Sequence, residues 1–206
     1  MRRWAGLLAT AAVASPAAAA PAGDTALLTR HHVTVVERDV RLPDCRAFGA
    51  TSEGELASTV VDVRARVPFP NVDERQRYTG RAAFTIERIT VRIPRNITWP
   101  GMTERDRRAA ASAVAALRHH EAGHVRVAVE EVARLNALAP TVSADPEVYR
   151  RTVTRRGRDG LAALAASQRA YDDLTDHGRS QDKATGTLYG PRTELACVSE
   201  AGERSQ

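Results

Sequence analysis

Along this chain the alternation of apolar and polar positions changes period once, and the change divides it into two halves. From about residue 31 to residue 95 the period is two, the repeat of half-buried strands. In "STVVDVRARV" the side chains of Thr59, Val61, Val63, Ala65 and Val67 alternate with Asp62, Arg64 and Arg66. "AAFTIERITVRIP" alternates through Phe84 and Ile86, slips phase at Glu87-Arg88, and resumes with Ile89, Val91 and Ile93. That slip predicts a bulge or a tight turn. "HHVTVVERDVRL" is a weaker strand, "TSEGELAST" a short helix, and "NVDERQRYTG" after Pro68 and Pro70 a loop.

Beyond "WPGM" the period becomes helical. Thr103 and Asp106 have the spacing of a capping box, and up to Pro140 the only breaker is Gly123. A second helix is predicted to start at Ser143 to Asp145, with Pro146 in its first turn, and to run toward Asp176 before Gly178. Gly157 and Gly160 in "RRGRDG" weaken its middle. Strands followed by helices, with no internal repeat, predict an α+β domain. Its plan is an antiparallel β-rich half (31–95), then a long helix with a second packed against it (103–178), then a polar tail (179–206).

Composition alters this picture at the N-terminus. Met1-Arg2-Arg3, the apolar run Trp4 to Ala14 and "SPAAAAPAG" have the three-part layout of a secretory signal peptide. Cleavage is expected after Ala19, since cutting after Ala20 would place Pro21 just past the bond. Residues 20–206 are then one exported domain, periplasmic or secreted by the Sec route. No later segment approaches the ~20 apolar residues of a membrane span, so no stable membrane insertion is expected. The formal charge of +5 loses Arg2 and Arg3 on cleavage, giving 5 − 2 = +3. The basic residues alternate with Asp and Glu and form no block, which argues against a nucleic-acid partner. Cys45 and Cys197, an even pair in an exported chain, predict one disulfide. Closing so long a loop stabilises the fold by roughly 4–5 kcal/mol in the chain-entropy model.

Candidate chemistry lies in "LRHHEAGHVRVA". His120 and His124 sit four apart, so on a helix their rings share one face and can converge on a single ion. Glu121 is rotated about 100° from His120 and can instead reach a water beside that ion. His-Glu-x-x-His therefore supplies two ligands and one general base. Val114 and Leu117 precede the histidines at spacings of three and four, which sets the motif on or beside the buried stripe. His119 faces elsewhere.

A catalytic zinc usually has three protein ligands, and the residues leave the third open. A metzincin pattern would need Gly at 127 and His at 130, where the chain has Val127 and Glu130. Glu131 lies about 10 Å up the same helix. Asp145 and Glu147 stand at the start of the second helix, with Asp145 as its cap, and His177 stands at its far end. In a tight hairpin of straight helices His177 would overshoot the site by roughly 20 Å. A His177 ligand therefore predicts a break or bend at "RRGRDG".

"YDDLTDHG" (Tyr171 to Gly178), some 50 residues after "HHEAGH", resembles the Tyr-Asp-x-x-Thr-x-His-Gly segment of a bacterial domain of unknown function described as predicted secreted zinc-dependent proteases. "ITVRIPRNITWP" and "FGATSEGEL" are similar to its upstream strand and its Gly-x-Thr-x-x-Glu-Leu element. The similarity spans roughly residues 31–180. It implies Zn2+ held by His120, His124 and His177, with Glu121 as the base. Tyr171 is a candidate oxyanion donor or a packing ring, and Asp172 a candidate partner for a ligand imidazole or a solvated helix residue. The expected activity is hydrolysis of protein or peptide substrates. The alternatives are a periplasmic binding or assembly factor with a structural or vestigial zinc site, and a zinc hydrolase acting on a non-peptide substrate. The sequence specifies no oligomeric state.

Overall fold

A computed structural model describes residues 33–47 and 56–178. The strand-period half forms β1 (Val33–Arg41), β2 (Ser58–Arg66), β3 (Asn71–Val72), β4 (Tyr78–Gly80) and β5 (Ala83–Thr98). It is followed by α1 (Glu104–Asn136), β6 (Thr141–Ser143) and α2 (Pro146–Thr175). The fold is α+β, with α2 packed against α1. The leader read in residues 1–19, most of the short helix read in 51–59, Cys197 and the tail from 179 lie outside the described residues.

The longest strand, β5, is the centre of a sheet ordered β1-β5-β2. β2 pairs with it antiparallel, but β1 pairs parallel, which corrects the wholly antiparallel plan. Three strands separate β1 from β5 in the chain, so no hairpin turn constrains their relative direction. The phase slip is a bulge: Asp62 and Val63 oppose Arg88 and Ile86, leaving Glu87 as the extra residue. It keeps Phe84 on the same buried face as Ile89, Val91 and Ile93. Pro94, which lacks an N–H, sits beyond the last β2 partner at Arg92, where β5 has only β1 beside it.

"NVDERQRYTG" is not a plain loop. It holds the hairpin β3–β4, which β6 extends antiparallel into a second sheet. Its strands of two and three residues are too short to show a period. Asp73 Oδ1 closes the turn by accepting from the N–H groups of Arg75 (3.0 Å) and Arg77 (2.8 Å).

Both helix starts follow the sequence. Asp106 N donates to Thr103 Oγ1 (3.2 Å) while Thr103 N donates to Asp106 Oδ2 (2.8 Å), the reciprocal capping box. Asp145 Oδ1 accepts from the N–H groups of Glu147 and Val148, with Pro146 at the first helical position. The main core lies between β5 and α1, where Ile89, Val91, Ile93, Leu117 and Val125 are fully covered. A second cluster around Phe84, Leu135, Tyr149 and Val153 joins the lower part of α2 to the sheet.

The break expected at "RRGRDG" is absent, because α2 is one continuous helix. A Cβ at Gly160 would overlap the Phe84 ring, and one at Gly157 would stand 3.6 and 3.7 Å from Ala65 and Ala82. These glycines bring the helix close to the sheet and do not interrupt it. No bend is needed, because the connection is not a tight hairpin. After α1 the chain runs out as β6 to pair with β4 before α2 begins. Gly160, roughly 20 Å into α2, is therefore the residue beside Leu135 near the end of α1. That offset carries the far end of α2 onto His120 and His124.

Candidate metal centre

His120 and His124 lie on the face of α1 that α2 covers, 4% and 9% exposed. Their Nε2 atoms are 3.1 Å apart. Asp172, in the last turn of α2, places Oδ1 2.8 Å from His124 Nε2 and 3.3 Å from His120 Nε2. A tetrahedral ion with bonds of about 2.0 Å holds its ligand atoms roughly 3.3 Å apart. His120, His124 and Asp172 thus form a cluster that could hold a metal ion.

The far side of each ring fixes which nitrogen faces the cluster. His124 Nδ1 is 2.6 Å from Gln168 Oε1, and Gln168 Nε2 donates to the His124 carbonyl at 3.1 Å. An amide oxygen only accepts, so His124 carries its proton on Nδ1 and turns the Nε2 lone pair inward. His120 Nδ1 faces Thr175 Oγ1 at 3.5 Å. That hydroxyl donates to the Tyr171 carbonyl (2.7 Å), so toward His120 it is an acceptor. Burial, reinforced by His124, pushes the His120 imidazole down to about 4 against the opposing pull of Asp172, so it is neutral at pH 7. Two lone pairs and a carboxylate oxygen converge on one point, an arrangement that a cation relieves.

Glu121, the next residue after His120, is 4% exposed. Thr59 Oγ1, from β2, donates to its Oε2 at 2.6 Å. Both line a cavity of about 600 Å³ that also takes in His120, His124, Asp172 and His177.

His177, expected as the third ligand, sits at the rim with 59% of its side chain exposed. Its Nδ1 is 4.0 Å from Asp172 Oδ1. The helix ends through Asp176, His177 and Gly178, all left-handed (φ 47°, 51° and 86°), and His177 N donates to the Asp172 carbonyl. Gly178 meets both demands of its position: the positive φ, and the close approach to His120, whose Cγ would be 3.1 Å from a Cβ there. The carboxylate oxygen within 3.3 Å of both imidazoles belongs to Asp172, which was read from the sequence as an orienting partner or a solvated helix residue and not as a ligand.

Tyr171 stacks on His120, with ring centroids 5.1 Å apart at 16°, and meets His124 edge-on. Its phenol lies over Gly123, where a Cβ would overlap the oxygen. It is 5% exposed and is not among the residues that line the cavity. Its place is that of a packing ring behind the histidines.

Gln168 and Thr59 were not singled out in the sequence. Gln168, Asp172 and Thr175 recur at helical spacing, a polar stripe that marks one face of α2. Thr59 carried no signal beyond its place in the alternation. Cys45 packs against the main core, and its expected partner, Cys197, lies outside the described residues.

Residues 48–178 match the family described as "bacterial protein of unknown function (DUF922)", and the chain belongs to that family. No curated protein and no solved structure matches it.

Proposed function

For this member of a family whose description assigns no activity, we propose a zinc-dependent hydrolase that cleaves peptide bonds outside the cytoplasm. The observation that supports it is the convergence of His120 Nε2, His124 Nε2 and Asp172 Oδ1, with the Glu121 carboxylate on the same cavity. Two nitrogens and one carboxylate oxygen on a tetrahedral spacing suit Zn2+. When bound, zinc supplies Lewis acidity, polarising a carbonyl and acidifying water toward neutral pH.

The remaining work falls to the chain. Glu121 accepts a proton from water and passes it to the leaving amine. Hydrolysis thereby adds hydroxyl to the acyl carbon and hydrogen to the amine nitrogen. Thr59 holds one carboxylate oxygen of Glu121 and sets its direction. Gln168 and Thr175 keep both Nε2 lone pairs turned to the metal position. The leader read in residues 1–19 supports export of the chain.

Purified protein should carry close to one zinc per chain by mass spectrometry of its metals and should hydrolyse casein or synthetic peptides. Glu121→Gln should keep the zinc and lose about 10²–10⁴ in rate. Folded protein that binds no zinc when the metal is supplied, or hydrolysis that survives Glu121→Gln, overturns this reading.

A further inference from the structure

The cavity is not symmetric about the metal cluster, and its shape follows from the packing of α2 on β2. Thr59, Val61, Val63 and Ala65 share the face of β2 that looks at the helices. At Ala65 the two elements are in contact, since Gly157 of α2 leaves only 3.6 Å between its Cβ position and Ala65 Cβ. Farther along, the glycines give way to Leu161, Leu164 and Ala165, and the elements part into the cleft that reaches Glu121 and His124.

Between the closed end and the metal cluster the walls are therefore apolar: Val61 and Val63 on the strand, and Leu161, Leu164 and Ala165 on the helix. Leu161 is 37% exposed, a large apolar side chain at the open mouth. A second hollow shares Val61, Val63 and Leu161 and is walled by the ion pairs Arg64–Glu87 (2.8 Å) and Arg88–Asp62 (2.8 Å). Moving away from the metal position, the surface is first apolar and then charged.

We propose that this wedge between β2 and α2 is the subsite for an apolar side chain of an extended peptide, next to the bond that is cleaved. The assignment rests on the hydrolase reading for the bond and on the wedge itself for the side chain. Val61 and Val63 repeat every second residue, the spacing at which an extended peptide places its own side chains. Among the described residues β2 is an edge strand of its sheet, the setting in which peptides align by main-chain pairing. An aliphatic or aromatic residue fills the wedge without leaving a buried charge, and an acidic or basic one does not.

The test uses the full chain loaded with zinc and a peptide series that differs at one position: Leu, Phe, Gly, Asp or Lys. Leu and Phe peptides should exceed Gly, Asp and Lys peptides by roughly tenfold or more in kcat/KM. The same ranking should appear in binding to the zinc-loaded Glu121→Gln protein, measured by fluorescence anisotropy. Leu161→Asp should reduce the preference while zinc content and circular dichroism stay unchanged, and Ala165→Leu, which narrows the wedge, should shift it from Phe toward smaller residues. Ranked binding without turnover in the unaltered protein leaves the subsite standing and removes the hydrolase reading. Turnover with no preference for apolar residues overturns the subsite and leaves the hydrolase reading intact, and binding with no such preference overturns the subsite whether or not turnover occurs.

Discussion

Gln168 holds His124 at two points, with Oε1 2.6 Å from the ring Nδ1 and Nε2 donating to the backbone carbonyl at 3.1 Å. Neither contact faces the candidate metal position, yet together they fix which ring nitrogen does. Gln168→Leu should leave the helices intact and lower zinc affinity about 10- to 100-fold, as loss of an outer partner does elsewhere. Competition with a chromophoric chelator measures it. Unchanged affinity would mean that Gln168 serves only to join the helices.

Asp172 and His177 make opposite predictions about the third ligand. Asp172 Oδ1 is 2.8 Å from His124 Nε2, whereas His177 is exposed at the rim. Asp172→Ala should therefore cost far more zinc affinity than His177→Ala. Chelation should lower the melting temperature of the unaltered protein, because an ion that binds only the folded state stabilises it, and should barely move that of Asp172→Ala. The ligand set implied by family resemblance predicts the reverse order, with His177→Ala the worse of the two.

Gly123 lies beneath the Tyr171 phenol, with no room for a Cβ. Gly123→Ala improves helix propensity but crowds that ring and, through it, His120. We expect the crowding to win, with a net destabilisation of about 1–3 kcal/mol in urea unfolding. Tyr171→Phe keeps the stacked ring and should keep both fold and activity. A large loss of turnover in Tyr171→Phe with normal zinc content would return the phenol to the chemistry.

Arg118, two residues before His120, joins α1 to β1 through Glu37 at 2.6 Å. Its hydrogen bond holds the Glu37 carboxyl below its ordinary value. A depressed carboxylate contributes stability that is present above its unfolded titration range and is lost as pH falls through its folded value. Arg118→Met should therefore cost on the order of 0.5–1 kcal/mol at pH 7, the pair being partly exposed. The gap should close as the pH is lowered below about 4. A gap that persists in acid would assign the effect to packing of the arginine stem.

Residues close together in the chain announced much of this protein. The four-residue step from His120 to His124, the Thr103–Asp106 box, the Asp145-Pro146 start and the slip at Glu87 all depend on the geometry of one element, which sequence period reports directly. The partners of those residues did not announce themselves. Thr59 reaches Glu121 because α1 packs across the sheet, and Gln168 reaches His124 and Asp172 reaches both histidines because α2 is offset along α1. That offset comes from the detour through β6 and from the fit of Gly160 against Phe84 and Leu135. Period describes which face of an element is buried, and it carries no information on how far one element slides past another. Packing against distant residues sets the slide, so Glu121 and the two histidines of the candidate centre could be read from one helix, whereas the place of Asp172 beside them had to wait for the fold.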